Sequence, residues 1–252
     1  MKSITSLLVF IGFLVLAKTQ DYCARSLCNG LRHIGCGNSG GFSTYCSPDR
    51  REIQMTPQFI NSILNRHNQN RDVIASGRLR GYRSAPRMAT MMWDNELAML
   101  AGMTARTCKF EHDQCRNTYR FQYSGQNLAA NWSGAPFTNS VLETVLPMID
   151  SWWAEHKDAN MRVMQNYPQY PSAMFGHFTV MSVEYNNAVG CAVTTYKDRQ
   201  MQNYNTLLLV CNYGKSNMYG NRIYEEGRTA SKCSSGTNPF FRALCSVSEQ
   251  YL

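Results

Sequence analysis

Apolar positions along the chain fall first at helical and later at strand spacing. After Thr56 and Pro57, the residues Phe59, Ile60, Ile63, Leu64 and His67 recur three and four apart. This predicts a helix capped by Thr56, started by Pro57 and stopped near Gly77. A second stripe follows the cap Asp94 through Leu97, Leu100, Ala101 and Thr104 toward Cys108. A third uses Val141, Leu142, Val145, Ile149, Trp152 and Trp153, with Pro147 either kinking the helix or marking its true start. From Phe175 the texture becomes that of strands: His177 to Val183, Val189 to Thr195 and Tyr204 to Tyr213, the last with a buried run from Leu207 to Val210. Helices first and antiparallel strands after them predict an α+β fold with helices packed on the sheet.

The flanks read differently. Residues 21–54 hold four cysteines among Gly and Ser without a sustained apolar period, the texture of an extended, stapled arm. Residues 227–252 return to loop composition around Cys233 and Cys245. At the N-terminus, Lys2 and a short polar lead precede the apolar run Leu7 to Ala17, the layout of a secretory signal peptide with a cleavage site after Thr19. That run is about 11 residues, well short of the ~20 needed to span a bilayer, and no other segment reaches that length. The expected organisation is a signal peptide (1–19), a cysteine-rich arm (20–55), a main domain (56–224) and a C-terminal extension with one disulfide loop (225–252).

Composition sharpens this picture at two points. The 252 residues carry a formal charge of +8, about +6 once Lys2 and Lys18 leave with the signal. The basic residues are scattered, which favours a solvated surface over a nucleic-acid groove. The ten cysteines, an even number in a secreted chain, imply up to five disulfides, whose pairing the spacing alone leaves open. No paired C-x2-C knuckle of a structural zinc site occurs. Asn131-Trp132-Ser133 is an N-glycosylation sequon, expected in a loop.

Two stretches carry a family likeness. Gly176-His177-Phe178-Thr179-Val180-Met181, and Leu209-Val210-Cys211-Asn212-Tyr213-Gly214 followed by Gly220-Asn221, resemble the two signatures of the CAP superfamily: cysteine-rich secretory proteins, antigen 5 and plant pathogenesis-related proteins. Supporting pieces stand in the expected order: Met92-Trp93-Asp94, Cys108-x3-His112-x2-Cys115, Gly125-Gln126-Asn127 and Trp152-Trp153-Ala154-Glu155. The four-cysteine arm is similar to that of the insect antigen 5 branch. The resemblance implies a three-layer α-β-α sandwich with a central antiparallel sheet. It also implies the disulfides Cys23 with Cys36, Cys28 with Cys115, Cys46 with Cys108 and Cys191 with Cys211, which leaves Cys233 for Cys245. The chain departs from the pattern after Met181, where Ser182-Val183-Glu184 stand in place of a Trp. It shows no Arg-Gly-Asp tripeptide and no separate cysteine-rich domain after residue 224, so the likeness lends no support to integrin or ion-channel blocking.

The family's cleft of two histidines and two acids maps onto His112, Gln126, Glu155 and His177, with one acid replaced by an amide. Imidazoles and carboxylates that converge suit a divalent metal such as zinc, held by His112 and His177, or an acid/base pair. Gln126 offers only a weak carbonyl ligand and no base. Without an ion, the same four groups can satisfy one another as a polar cluster that locks the third helix to His177. His156, one residue from Glu155, points about 100° around the helix. No free cysteine, Gly-x-Ser-x-Gly elbow or His-Glu-x-x-His motif supplies another catalytic centre.

The leading expectation is therefore a non-enzymatic, secreted binding or interaction protein of an extracellular fluid that needs no cofactor. It would be a monomer or weak dimer that meets an extracellular protein or a small hydrophobic ligand such as a sterol or fatty acid. Metal-dependent hydrolysis through His112, Glu155 and His177 is the alternative, and a stable allergen or defence protein without a ligand the third reading.

Overall fold

A computed structural model of the protein describes residues 20–170 and 174–251; the signal-peptide expectation falls outside them. Helix α1 spans Pro57–Ala75, with the Thr56 hydroxyl accepting from the Phe59 N–H, and ends before Gly77 at φ +74°, a conformation glycine adopts without strain. Helix α2, Asn95–Ala105, is capped by the Asp94 carboxylate accepting from the Leu97 N–H. Helix α3, Val141–Ala154, starts at a reciprocal capping box between Ser140 and Glu143, so Pro147 lies inside it rather than at its start.

The sheet is built from β1 (Arg51–Glu52), β2 (Met92–Trp93), β3 (Gly125–Ser133), β4 (Ala188–Asp198) and β5 (Tyr204–Tyr213). Its order is β1-β4-β5-β3, all antiparallel, and β2 adds a short parallel pairing to β4. Side chains alternate across it. Leu207, Leu209, Cys211 and Tyr213 of β5 join Phe59, Ile63, Val145, Ile149 and Trp152 from α1 and α3 in one core layer. Leu208 and Val210 join Ala101 and Ala105 of α2 in the other. The result is the expected sandwich, with helices on both faces. Gly190 of β4 permits the close approach of α2: a Cβ there would lie 2.2 Å from the Ala98 nitrogen and 2.4 Å from the Asp94 carbonyl oxygen.

Two local expectations are corrected. The segment read as a strand from His177 to Val183 is helix α5, Gly176–Ser182, which follows the short helix α4, Met161–Gln165. Alternating β-branched and aromatic residues mimic a strand there, but long-range partners satisfy both helix ends. At the start, the Glu155 carboxylate accepts from the His177 and Phe178 N–H groups. At the far end, the buried Arg71 guanidinium donates to the carbonyls of Met181, Val183 and Glu184. Conversely, the polar stretch after Ser124 is strand β3, held by a continuous ladder to β5 from Gly125↔Tyr213 to Ser133↔Asn205. The sequon at Asn131 therefore sits on a strand, not in a loop, although Asn131 itself is exposed.

Five disulfides staple this frame: Cys23–Cys36, Cys28–Cys115, Cys46–Cys108, Cys191–Cys211 and Cys233–Cys245. Cys191–Cys211 joins directly paired residues of β4 and β5. The C-terminal extension packs Ala243 and Leu244 into a cluster with Ile74, Met88, Met164 and Phe178. Among the described residues no helix is long and apolar enough to cross a membrane.

Candidate functional site

The loop that carries His112 begins and ends at cysteines, and both are tied to the N-terminal arm, Cys108 to Cys46 and Cys115 to Cys28. The arm thereby fixes the position of this histidine. Opposite it, the C-terminal end of α3 meets the start of α5. Trp152, buried and donating its indole N–H to the Leu128 carbonyl at 3.0 Å, stacks on the His177 ring with centroids 5.8 Å apart. Trp153 sets its edge against Phe178 at 5.0 Å. Glu155, which opens a 3-10 turn (Glu155–Lys157) just after α3, caps α5 and takes the His177 Nδ1 at 2.5 Å. The two motifs Trp-Trp-Ala-Glu and Gly-His-Phe thus act as one unit, with Trp152, Trp153 and Glu155 of the first holding His177 and Phe178 of the second.

His112, Gln126, Glu155 and His177 all line one cleft of about 510 Å³, together with Arg116, Tyr167 and Met174. Gln126 is buried on β3, and its amide nitrogen donates to Asp113 Oδ2 at 2.7 Å and to Asn212 Oδ1 at 2.9 Å. Both partners accept only, so the amide oxygen must face His112, whose Nδ1 lies 2.7 Å away. That oxygen cannot donate, and the His112 hydrogen is therefore on Nδ1. The Glu155 carboxylate fixes the same tautomer at His177. In its neutral form each imidazole presents a bare Nε2, and among the described residues neither Nε2 has a hydrogen-bond partner. The pKa of His112 is lowered, by burial first and with help from the Arg116 and His177 charges, against the opposing Gln126 hydrogen bond.

The geometry changes the roles suggested by residue type. Gln126 and Glu155 orient the two histidines, the second-sphere arrangement that holds metal-binding imidazoles in one tautomer. Imidazoles held in one tautomer offer the nitrogen donors that a divalent ion such as zinc accepts. The Glu155 carboxylate already serves three donors, two of them backbone N–H groups at the start of α5. His156 turns away, donating from Nδ1 to the Trp153 carbonyl and packing near Tyr82 and Phe178. Asp113 and Asn212 hold the amide but were not among the residues singled out from sequence. The signal for Asp113 is its place directly after His112 in the sequence.

A second cluster, Cys28, His33 and Cys115, brings potential ligand atoms within 4.8 Å of one another. Its two sulfurs are bonded to each other, and His33 is satisfied, accepting from the Gly35 N–H at Nδ1 and donating from Nε2 to the Asn117 carbonyl. The trio is a structural knot rather than a thiolate site.

Comparison with known proteins agrees with this frame. The family model described as "Cysteine-rich secretory protein family" matches residues 64–213. Venom allergen-1 of Aedes albopictus is 38% identical over 244 residues, covering 96% of this chain and 92% of the relative. The antigen 5 like allergen Cul n 1 of Culicoides nubeculosus is 36% identical over 198 residues, covering 75% of this chain and 89% of the relative. Among solved structures, NaASP2 with Zn2+ aligns with a TM-score of 0.61 at 25% identity, over 80% of this chain and all of that one. With its two signatures, stapled sandwich and insect antigen 5-like relatives, the chain belongs to the cysteine-rich secretory protein (CAP) family.

Proposed function

We propose that the protein is a secreted, non-enzymatic binding protein of an extracellular fluid whose cleft takes a divalent cation weakly through the Nε2 atoms of His112 and His177. The observation that carries this reading is the matched tethering of the two rings: each Nδ1 is held by an oxygen acceptor, and each Nε2 is left to the cleft. Secretion is supported by the five disulfides and by relatives named as venom allergens. A solved relative described with Zn2+ supports the choice of ion. Binding is favoured over hydrolysis because Glu155 is committed to His177 and to the start of α5, and Gln126 cannot accept a proton.

Zinc titration followed by calorimetry tests the proposal. One ion per chain is expected, with affinity falling at least tenfold in His177→Ala or His112→Ala. Glu155→Gln should cost roughly 10- to 100-fold, the usual penalty for losing an orienting partner. Titration heats no larger than those of the His112→Ala/His177→Ala double variant would remove the metal site. Chelator-sensitive cleavage of peptides or esters that is lost in Glu155→Gln would overturn the non-enzymatic reading.

A further inference from the structure

A second cavity, larger than the histidine cleft, lies next to it. It measures about 660 Å³ and lies between the N-terminal arm, the last turn of α2 and the loop that carries His112. Phe42 from the arm and Met103 from α2 give it apolar walls, while Arg32 and Arg106 bring positive charge. His112 lines both this cavity and the cleft, so the two spaces share one imidazole in their walls.

The charge balance inside it is one-sided. Asp113 is neutralised by Arg116 at 2.9 Å and accepts from Thr104 and Gln126 as well. Glu111 is mostly exposed and faces Lys109 at 3.4 Å. His33 is buried and bonded at both ring nitrogens, and burial lowers its pKa, so it stays neutral. Arg32 is exposed and makes no ion pair among the described residues. Arg106 uses only Nη1, which donates to Glu52 Oε1 at 2.5 Å.

Gly102 makes room for the Arg106 guanidinium: a Cβ there would lie 2.8 Å from Nη1 and 2.9 Å from Glu52 Oε1. Arg106 Nε is enclosed and has no hydrogen-bond partner, and Nη2 makes no protein bond among the described residues. Nε and Nη2 form one edge of the guanidinium fork, the edge that carboxylates and similar anions grip with two oxygens. With Nε enclosed, an anion in the cavity is held through Nη2 and by the charge of the whole guanidinium.

We propose that this cavity is a binding site for a small amphipathic organic anion, its acidic group on Nη2 of Arg106 beside Arg32 and its apolar body between Phe42 and Met103. A volume of about 660 Å³ is in the range of small-molecule sites. The site adjoins the histidine cleft through His112 and needs no ion.

The test uses 2-naphthoate as probe and 2-naphthamide as its uncharged counterpart, titrated by fluorescence into the secreted protein with EDTA present to keep the cleft free of metal. Saturable one-to-one binding of naphthoate is expected, at least tenfold tighter than that of the amide. It should fall at least tenfold in Arg106→Gln and be abolished in Met103→Trp, which fills the cavity from α2. Arg32→Gln, at an exposed position, keeps the fold if Arg106→Gln does not, and should weaken naphthoate three- to tenfold. Equal affinity for the two probes, full affinity in Met103→Trp, or no saturable binding of naphthoate would each overturn the proposal.

Discussion

Restoring the acid that the family pattern leads one to expect at position 126 should damage this protein, and most of all above a particular pH. In the wild type, the Gln126 amide nitrogen serves two buried acceptors, Asp113 Oδ2 at 2.7 Å and Asn212 Oδ1 at 2.9 Å. Gln126→Glu replaces that donor by an oxygen, which leaves both acceptors short and sets one carboxylate against another. Each buried polar group left unpaired costs about 1–3 kcal/mol, and two carboxylates sharing a site repel unless one keeps its proton. The Arg116 guanidinium beside Asp113 offsets part of this. A net loss of about 3 kcal/mol at pH 8 corresponds to a Tm lower by roughly 6–12 °C for a chain of this size. The pair's folded-state pKa is raised, so the charge part of the penalty is complete above that raised value and disappears as pH falls toward the ordinary carboxyl value, leaving the one acceptor that a single O–H cannot serve. Calorimetric melts of Gln126→Glu at pH 8 and pH 5 should therefore differ by several degrees more than those of the wild type. Gln126→Leu, which loses the bonds without adding charge, should melt lower by a similar amount at both pH values. A Tm for Gln126→Glu within 2 °C of wild type at pH 8, or the same deficit at both pH values, would refute the reasoning.

Arg71 makes five hydrogen bonds to the carbonyls of Ala89, Met181, Val183 and Glu184, so Arg71→Leu should cost about 3–5 kcal/mol, measured by urea unfolding, and loosen α5 enough to weaken zinc binding at His177. Burial alone would raise the pKa of Glu249, but the Ser234 and Ser235 N–H groups, Arg87 and the Ser234 hydroxyl outweigh it and hold the carboxyl at about 2. This depressed value makes the tail's anchorage complete above about pH 4.5 and lost as pH falls through about 2. Hydrogen exchange at Ser234 and Ser235 should rise in that acid window, and already at neutral pH in Glu249→Ala. His67, enclosed between α1 and Tyr213, has its pKa lowered to about 4 by burial. It therefore stabilises the fold above about pH 6.5, and up to about 3 kcal/mol is lost as pH falls from there through about 4. Its NMR ring resonances should keep their neutral positions to about pH 5; an ordinary histidine titration would count against the buried placement.

How much was legible in the sequence depended on where the deciding contacts lie. Thr56, Asp94, β4 and β5 could be read because a cap bonds three residues ahead and an apolar run declares its own burial. Helix α5 could not. Its composition suits a strand, and what makes it a helix comes from Glu155, 22 residues before His177, and from Arg71, more than 100 residues before Met181. Strand β3 was hidden for the converse reason: a polar, Asn-rich stretch became a strand because β5 supplies its ladder from about 80 residues away. The site divides along the same line. Its four residues were named through family likeness, but their division of labour depends on Asp113 and Asn212, which turn the Gln126 amide so that its oxygen faces His112. With an amide in that frame, His112 keeps its hydrogen on Nδ1 without a second full negative charge in the cleft. The amide thus fixes the tautomer at His112 as the Glu155 carboxylate does at His177, but without the charge, a distinction that only the hydrogen-bonding partners reveal.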